Sequence, residues 1–269
     1  MVVDFHTHVF PEHIAERTLE VLKTNVCNIS GVKPPAFTDG KVEGLKKSMA
    51  DNGIDLSVVM PIATSPKQTP SINEYAKKIS CGNIVSFGSL HPNQEDWEAV
   101  VENIARDGFK GIKLHPQYQN VSVDSPEVIR IAEKAQALGL YTMFHAGVDI
   151  GVVTSELATP KRFKNLLNYV SGEYIIAAHL GGYQMWDDVE EYLVGTKMSF
   201  DISYACSHID KEQFIRIIKN HGADKILYGS DSPWKSQSQP LEELKKLELS
   251  KEKMDLITHK NALKILDIK

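Results

Sequence analysis

Short apolar runs alternate with amphipathic segments along the whole chain of 269 residues. The apolar runs are rich in β-branched and aromatic residues, as buried strands are, whereas the segments between them repeat apolar residues at helical spacing. Eight strands are predicted, at Val2–His8, Ser57–Met60, Ile84–Leu90, Gly111–His115, Tyr141–His145, Tyr174–His179, Met198–Ser203 and Lys225–Gly229. The last five begin 24 to 33 residues apart, which suits one strand, one helix and two short loops.

The amphipathic segments carry signals for the start and end of helices. Pro126 falls at the beginning of a helix predicted over Glu127–Leu138, and Gly139 follows its end. Asp210 is placed to cap a helix over Lys211–Asn220. Further helices are predicted over Val42–Asn52 and from Pro160 onward.

This alternation of strands and helices predicts a parallel sheet, and eight repeats allow the sheet to close. We therefore expect a single-domain α/β fold, a (β/α)8 TIM barrel over residues 1–269, with an open doubly wound sheet as the alternative. The long first connection is the exception, a loop and helix excursion at about residues 9–56. It contains Asn25–Gly40, rich in Gly, Pro and polar residues, which could cover a substrate or form a surface excursion.

The histidines cluster at the predicted strand ends. Six of the ten lie at or near the C-terminal end of a strand, namely His6, His8, His91, His115, His145 and His179. Asp231 follows the eighth strand in the segment GSDSPW. In a parallel barrel all these ends meet on one face, where barrel enzymes build their active sites.

His6 and His8 point to a bound metal ion. Residues two apart on a strand project to the same side, so both rings can reach one ion. Two hydrogen-bonded buried histidines would explain this pair taken alone. Together with His145, His179 and Asp231 on later strands, the pair predicts a site for Zn²⁺ or a similar divalent ion.

The motifs DFHTH, GIKLHP, FHAG, AAHLGG, GSDSPW and HKNALKIL, in this order, resemble the amidohydrolase superfamily. The chain is most similar to its amidohydrolase-related branch, which includes aminocarboxymuconate-semialdehyde decarboxylase and its relatives. The resemblance implies a distorted (β/α)8 barrel and a catalytic divalent metal, usually zinc, held by His6, His8, His145 and Asp231. It also implies that His179 is an acid/base, although other superfamily members use this histidine to bind a second ion. One metal is favoured over two.

The chemistry of these residue types supports the same roles. Three histidines and a carboxylate leave a coordination position for water, whose pKa a metal can lower to about 7. Asp231 could bind the metal and also accept a proton, so we expect it to be catalytic. His179 is the residue type best suited to move protons near neutral pH, and a structural role is its alternative.

Lys113 and His115 lie on one face of the fourth predicted strand. Lys113 could be carboxylated and bridge two ions, as happens in binuclear superfamily members, or it could form an ion pair with Asp4. His115 is better placed to contact the substrate. His91 could line the pocket or cap its strand end.

Several residues after the strand ends are candidates for substrate binding. Tyr183 and Trp234, with Tyr118 and Trp186, could form an apolar wall or pack within their loops. Arg162 could hold a substrate carboxylate or be a solvated helix charge. We interpret the remaining histidines as structural, namely His13, His208, His221 and His259.

The composition limits the classes of binding partner that are expected for this chain. A net charge of -5 and a pI near 6.1 give no electrostatic signal for nucleic acid or membrane, so a small-molecule substrate is expected. The three cysteines are widely spaced and form no CxxC pair, which favours a reducing, cytoplasmic location. A homodimer is possible because the branch often forms dimers.

Two reactions fit the predicted site. In the first, the metal activates water to hydrolyse an amide, a lactone or a related carbon centre. In the second, the same residues support non-oxidative decarboxylation of an unsaturated or aromatic acid. The GIKLHP motif and the short chain depart from the well-known decarboxylases and favour hydrolysis.

Two further functions of the predicted metal site fit the sequence less well. Metal-dependent deoxyribonucleases also begin with HxH, but they carry a glutamate at the end of strand four, and the acidic charge disfavours binding to a phosphate backbone. A purely structural ion would be expected in a closed, cysteine-rich site, which this one is not.

Overall fold

The strands of the protein are parallel and follow the predicted order. The computed structural model describes residues 1–153 and 156–268. Within this part of the chain the strands are β1 Val3–Thr7, β2 Leu56–Val59, β3 Ile84–Ser86, β4 Gly88–Ser89, β5 Gly111–Leu114, β6 Tyr141–Phe144, β7 Ile175–Ala177, β8 Ser199–Asp201 and β9 Ile226–Leu227. The hydrogen-bonded order is β1-β2-β3 in one sheet and β4-β5-β6-β7-β8-β9 in the other.

Backbone hydrogen bonds join the two sheets into a barrel with eight strand positions, which we call staves. Strands β3 and β4 form one stave, because Phe87 between them donates its N–H to the Val59 carbonyl of β2 (3.0 Å). On the other side, the Phe5 N–H of β1 donates to the Tyr228 carbonyl just after β9 (2.8 Å). The predicted (β/α)8 barrel is therefore confirmed, and the open sheet is excluded.

Helices follow the strands around the barrel. The described helices are α1 Glu12–Ser30, α2 Val42–Asn52, α3 Thr69–Ile79, α4 Trp97–Arg106, α5 Pro116–Gln119, α6 Pro126–Ala137, α7 Pro160–Leu166, α8 Trp186–Tyr192, α9 Lys211–His221, α10 Gln239–Lys245, α11 Lys251–Asp255 and α12 Asn261–Leu266. A π-helical turn over Leu256–Lys260 joins α11 to α12. None of the described helices combines the length and apolar character that crossing a bilayer requires.

The helix predictions agree with the structure to within a residue or two. Helix α2 has the predicted bounds, and the predicted cap of α9 is present, since the Asp210 carboxylate accepts from the Gln213 N–H (3.0 Å). The excursion between β1 and β2 contains a long helix, and the first residues of its polar stretch Asn25–Gly40 belong to α1. This helix continues to Ser30 and ends where Gly31 adopts a left-handed conformation (φ 76°), which glycine tolerates without a Cβ clash.

An apolar cluster fills the barrel beneath the strand ends. Its members include Phe5, Met143, Ile176 and Leu227, which precede His6, His145, His179 and Asp231 along their strands, and α12 contributes further apolar side chains. A second, larger cluster lies between the sheet and the surrounding helices. The polar residues at the strand ends therefore rest on a dry, close-packed base that fixes their positions.

Candidate metal centre and active-site cavity

Three of the predicted metal ligands meet at the C-terminal end of the barrel. The Nε2 atoms of His6 and His8 are 3.1 Å apart. Asp231 Oδ1 lies 3.1 Å from His8 Nε2 and 3.5 Å from His6 Nε2. We call His6, His8 and Asp231 the metal triangle. Asp231 has a left-handed backbone (φ 66°), which turns its carboxylate back toward β1.

The outer hydrogen bonds of the two histidines decide which ring nitrogens carry protons. His6 Nδ1 lies 2.8 Å from the Asp201 carboxylate, and His8 Nδ1 lies 2.8 Å from the Met60 carbonyl. Both partners are acceptors only, so each Nδ1 must be the donor. Each Nε2 of a neutral ring then presents a lone pair. Two nitrogen lone pairs and a carboxylate oxygen therefore converge, an arrangement that a cation stabilises and that is repulsive without one.

The electrostatics favour the same protonation states. Burial, aided by the nearby Lys113 charge, lowers the pKa of His6 to about 4. Burial opposes ionisation of Asp231, but the nearby imidazoles of His8, His6 and His179 lower its pKa to about 2. At neutral pH the triangle thus offers a neutral His6 imidazole and a carboxylate, which suit a divalent cation such as Zn²⁺.

Asp201 orients residues of the site through hydrogen bonds, and it was not predicted from the sequence. Its Oδ2 accepts from His6 Nδ1, while its Oδ1 accepts from the backbone N–H groups of His179 (3.1 Å) and Ser203 (2.9 Å). Asp201 is fully buried at the end of β8. A carboxylate within the apolar strand segment MSFDIS was the available signal, because a buried charge requires partners.

We expect Asp201→Asn to weaken metal binding by about 10- to 100-fold, because the amide holds His6 in its ligating tautomer less firmly than the carboxylate does. Metal affinity can be measured by competition with a chromogenic chelator. Asp124→Asn is the matched control, since that carboxylate pairs with Arg162 outside the triangle (2.9 Å). Equal metal affinity in wild-type protein and Asp201→Asn would contradict the orienting role.

His179 faces His145 across the cavity floor. His179 Nδ1 lies 2.9 Å from the Ser203 carbonyl and therefore donates to it, which leaves a lone pair on Nε2. That Nε2 lies 3.0 Å from His145 Nδ1. His145 can donate its proton to His179, or the two lone pairs can share a cation. His179 also has a left-handed backbone (φ 59°), a rare conformation that is often found at functional sites.

His145 is not part of the metal triangle in this structure. Its Nδ1 faces His179, and its Nε2 is buried without a hydrogen-bond partner among residues 1–153 and 156–268. Its assignment as the fourth ligand therefore stays a prediction. Because a buried nitrogen normally has a hydrogen-bond partner or a ligand, the free Nε2 of His145 is consistent with binding to a cation or to a substrate.

His115 and Asp149 form a separate pair on the same floor. His115 Nε2 lies 3.2 Å from Asp149 Oδ2, and the His115 ring stacks on His145 with centroids 4.3 Å apart. His115 Nδ1 accepts from the Tyr118 N–H (3.4 Å), so its Nε2 carries the proton and donates to Asp149. This group could hold a metal only after losing that proton. Asp149 lies in a loop beyond β6, where no sequence periodicity marked it.

Lys113 approaches the metal triangle, and one expectation about it is wrong. Its Nζ lies 3.5 Å from His6 Nε2, and burial lowers its pKa to about 8 against the opposing charges of Asp201 and Asp231. It forms no ion pair with Asp4, whose carboxylate instead accepts hydrogen bonds from Ser230 and Gln237. The register of β1 against β2 shifts between Asp4 and Thr7, so strict alternation does not hold there. Carboxylation of Lys113 stays a prediction.

A cavity of about 480 Å³ opens above these side chains. Tyr118, Tyr183 and Trp234 line it, as the predicted apolar wall requires, and Tyr204 joins them. Trp186 does not line it, because its indole N–H donates to the His179 carbonyl (3.2 Å) beneath the wall. His13, interpreted from sequence as structural, lies on the lining.

Two other candidates lie outside the cavity. Arg162 is corrected as a substrate-binding residue: it does not line the cavity, and its guanidinium donates to Asp124 (2.9 Å) and to the Glu156 carbonyl (2.6 Å). His91 accepts from the Asn93 N–H (3.2 Å) and serves as the cap of its strand end.

The sequence profile of the amidohydrolase family matches residues 3–268. The chain belongs to the amidohydrolase family. No protein of curated function matches the sequence.

The fold is similar to that of a 5-carboxyvanillate decarboxylase from Sphingomonas paucimobilis, at 11% identity over 100% of this chain and 99% of that chain (TM-score 0.72). A manganese-bound 5-carboxyvanillate decarboxylase from Novosphingobium aromaticivorans matches at 12% identity, with 100% and 97% covered (TM-score 0.75). A probable 2-pyrone-4,6-dicarboxylic acid hydrolase from Acinetobacter baumannii matches at 14% identity, with 99% of both chains covered (TM-score 0.64). At such identities these likenesses establish the fold, which hosts both reactions.

Proposed function

We propose that this amidohydrolase is a metal-dependent hydrolase of a small organic substrate with an amide, lactone or related carbonyl centre. The observation that carries the proposal is the metal triangle, where the hydrogen bonds of His6 and His8 direct two lone pairs and the Asp231 carboxylate at one point. We assign one divalent ion, Zn²⁺, to these three residues, with His145 as the proposed fourth ligand.

The bound ion would supply Lewis acidity that polarises the substrate carbonyl and lowers the pKa of water. The protein residues supply orientation and proton transfer. Asp201 holds His6 Nδ1 (2.8 Å), and the Met60 carbonyl holds His8 Nδ1 (2.8 Å), so both rings keep their ligating nitrogen toward the ion.

His179 is the proposed proton carrier. Its Nδ1–H donates to the Ser203 carbonyl, which keeps the basic Nε2 directed into the cavity. Nε2 can take a proton from the attacking water and return it to the leaving group. Asp231 is the second candidate proton acceptor, because its carboxylate already lies in the metal triangle. The aromatic wall limits the access of bulk water to these groups.

The cavity favours hydrolysis over decarboxylation. Among the lining residues that the structure describes, Lys113 is the only lysine or arginine, and it lies beside His6. A neutral carbonyl substrate needs no further cationic partner, whereas a substrate with two carboxylates would leave one of them unpaired. Decarboxylation remains the second candidate, because a single carboxylate could bind the metal itself and His179 could deliver the proton to carbon.

The test is a comparison of products from metal-loaded protein given lactones, amides and aromatic acids. We expect hydrolysis, with one ¹⁸O atom from labelled water in the new carboxylate and no CO₂ released. Release of CO₂, with deuterium from D₂O at the vacated carbon, would establish decarboxylation instead. Protein that retains no divalent metal after dialysis into metal-free buffer would contradict both reactions.

A further inference from the structure

Helix α1 presents a stripe of three apolar residues and one threonine to the catalytic cavity. Ile14, Thr18, Leu22 and Val26 follow each other at intervals of four residues, so they lie on one face of the helix, and all four line the cavity. At about 1.5 Å per residue the stripe is about 18 Å long. The residues of α1 that pack into the core are different ones, Ala15 and Leu19.

The stripe spans the cavity between two parts of the barrel rim. At its beginning, α1 follows directly from the segment after His8, and Ile14 is 39% exposed. At its far end, a Cβ built on Gly151 would lie 3.4 Å from Val26, so the loop after β6 closes against the helix. The cavity is thus a long slot, with α1 as one wall and the strand ends as the floor.

Four further apolar residues line the same cavity, Ile62 and Ile72 after β2, and Val148 and Ile150 after β6. Thr64, Gln68 and Ser71 add polar side chains to the lining after β2. A concave and mainly apolar lining of this kind is typical of a ligand-binding site. The metal triangle lies at the floor of the slot, so a ligand in the slot would contact both the apolar residues and the metal triangle.

The distribution of charge limits what can occupy the slot. Lys113 is the one cationic side chain among the described lining residues, and it is buried beside His6 at the floor. The carboxylate of Asp149 is already engaged by His115 (3.2 Å). An anionic substituent lying along α1 would lose its hydration without gaining a cationic partner among the described lining residues.

We propose that the substrate carries a long, unbranched apolar chain, of the fatty-acyl or alkyl class, that lies along the α1 stripe while its carbonyl head reaches the metal triangle. This inference rests on the proposed function, since it assigns the part of the substrate that does not react. It gives the excursion between β1 and β2 a specific role, which is to build the wall that selects the chain.

Straight-chain hydroxamic acids test the proposal without requiring turnover, because the hydroxamate head binds divalent metals and the chain length can be varied. Their affinities for zinc-loaded protein, from two to twelve carbons, can be measured by calorimetry. Burial of each methylene predicts an affinity gain of up to about fourfold, continuing until the slot is filled.

Leu22→Gln keeps the size of the side chain and makes the centre of the stripe polar. We expect it to weaken binding of the ten-carbon hydroxamate by about tenfold and to leave the two-carbon compound within twofold, which also shows that the variant is folded. Val21→Gln is the matched control, because Val21 is 51% exposed on the same helix and does not line the cavity. It should bind both compounds as the wild type does.

The outcomes separate the two proposals. Affinity that is independent of chain length, or a Leu22→Gln variant with an unchanged dependence on length, would overturn the apolar-chain inference and leave the metal centre intact. Failure of every hydroxamate to bind, short or long, would overturn the metal centre and the inference with it.

Discussion

Replacing His179 with asparagine is expected to lower kcat by about 10²- to 10⁴-fold, the usual contribution of a general acid/base, without removing the metal. His179 Nε2 is the basic atom, because Nδ1 donates to the Ser203 carbonyl (2.9 Å). Asparagine can keep a hydrogen bond at this position but cannot carry a proton between water and a leaving group. Among residues other than glycine, asparagine is one of those that most readily adopt the left-handed backbone found there (φ 59°), so the fold should survive.

The measurements for this variant are kcat and zinc content on the same preparation. His91→Asn is the matched control, since His91 also ends a barrel strand but caps the Asn93 N–H outside the cavity. It should keep near wild-type activity. If His179→Asn lost its zinc together with its activity, His179 would be a ligand and not the proton carrier. Wild-type kcat in the variant would remove it from the mechanism.

The sequence predicted the barrel and the floor of the site for a topological reason. The periodicity of the sequence located eight strands. When parallel strands close into a barrel, their C-terminal ends meet on one face, irrespective of the conformation of the loops. His6, His8 and Asp231 lie at such ends, and the structure brings them within 3.5 Å of one another. His6 lies within β1, His8 follows directly after its last residue, and Asp231 lies four residues beyond the end of β9.

Residues that depend on loop paths could not be placed in this way. Arg162 appeared available for a substrate carboxylate, but its partner Asp124 lies 38 positions earlier and comes near only in the folded chain. Asp149 was missed because it lies in a loop. The wall formed by α1 is an intermediate case. The four-residue spacing of its stripe can be read from the sequence, but the surface that the stripe faces cannot.

Tautomers are a further limit on sequence reasoning. The pair His6 and His8 predicts an ion only because two side chains share a side of a strand. The structure adds that His6 Nδ1 donates to Asp201 and that His8 Nδ1 donates to the Met60 carbonyl. The Nε2 lone pairs of both rings are therefore directed toward the same point. The same reasoning separates His115 from a metal role, since its Nε2 donates to Asp149 (3.2 Å).

Replacing Asp231 with asparagine is expected to have the largest effect, weakening metal binding by more than the roughly 100-fold upper limit for an orienting residue. The carboxylate is the only anionic member of the metal triangle, and its pKa of about 2 keeps it ionised at neutral pH. An amide of the same shape retains a neutral oxygen and removes the charge that attracts the ion. Asparagine also tolerates the left-handed backbone at this position (φ 66°).

A metal titration distinguishes the two roles proposed for Asp231. If it only holds the ion, saturating zinc should restore the activity of Asp231→Asn. If it also accepts a proton, kcat should stay about 10²- to 10⁴-fold low at saturation. Asp149→Asn is the matched control, a carboxylate of the same cavity that pairs with His115 and should leave zinc affinity unchanged. Wild-type zinc affinity in Asp231→Asn would place the ion elsewhere, and the convergence of His6, His8 and Asp231 would then need another cause.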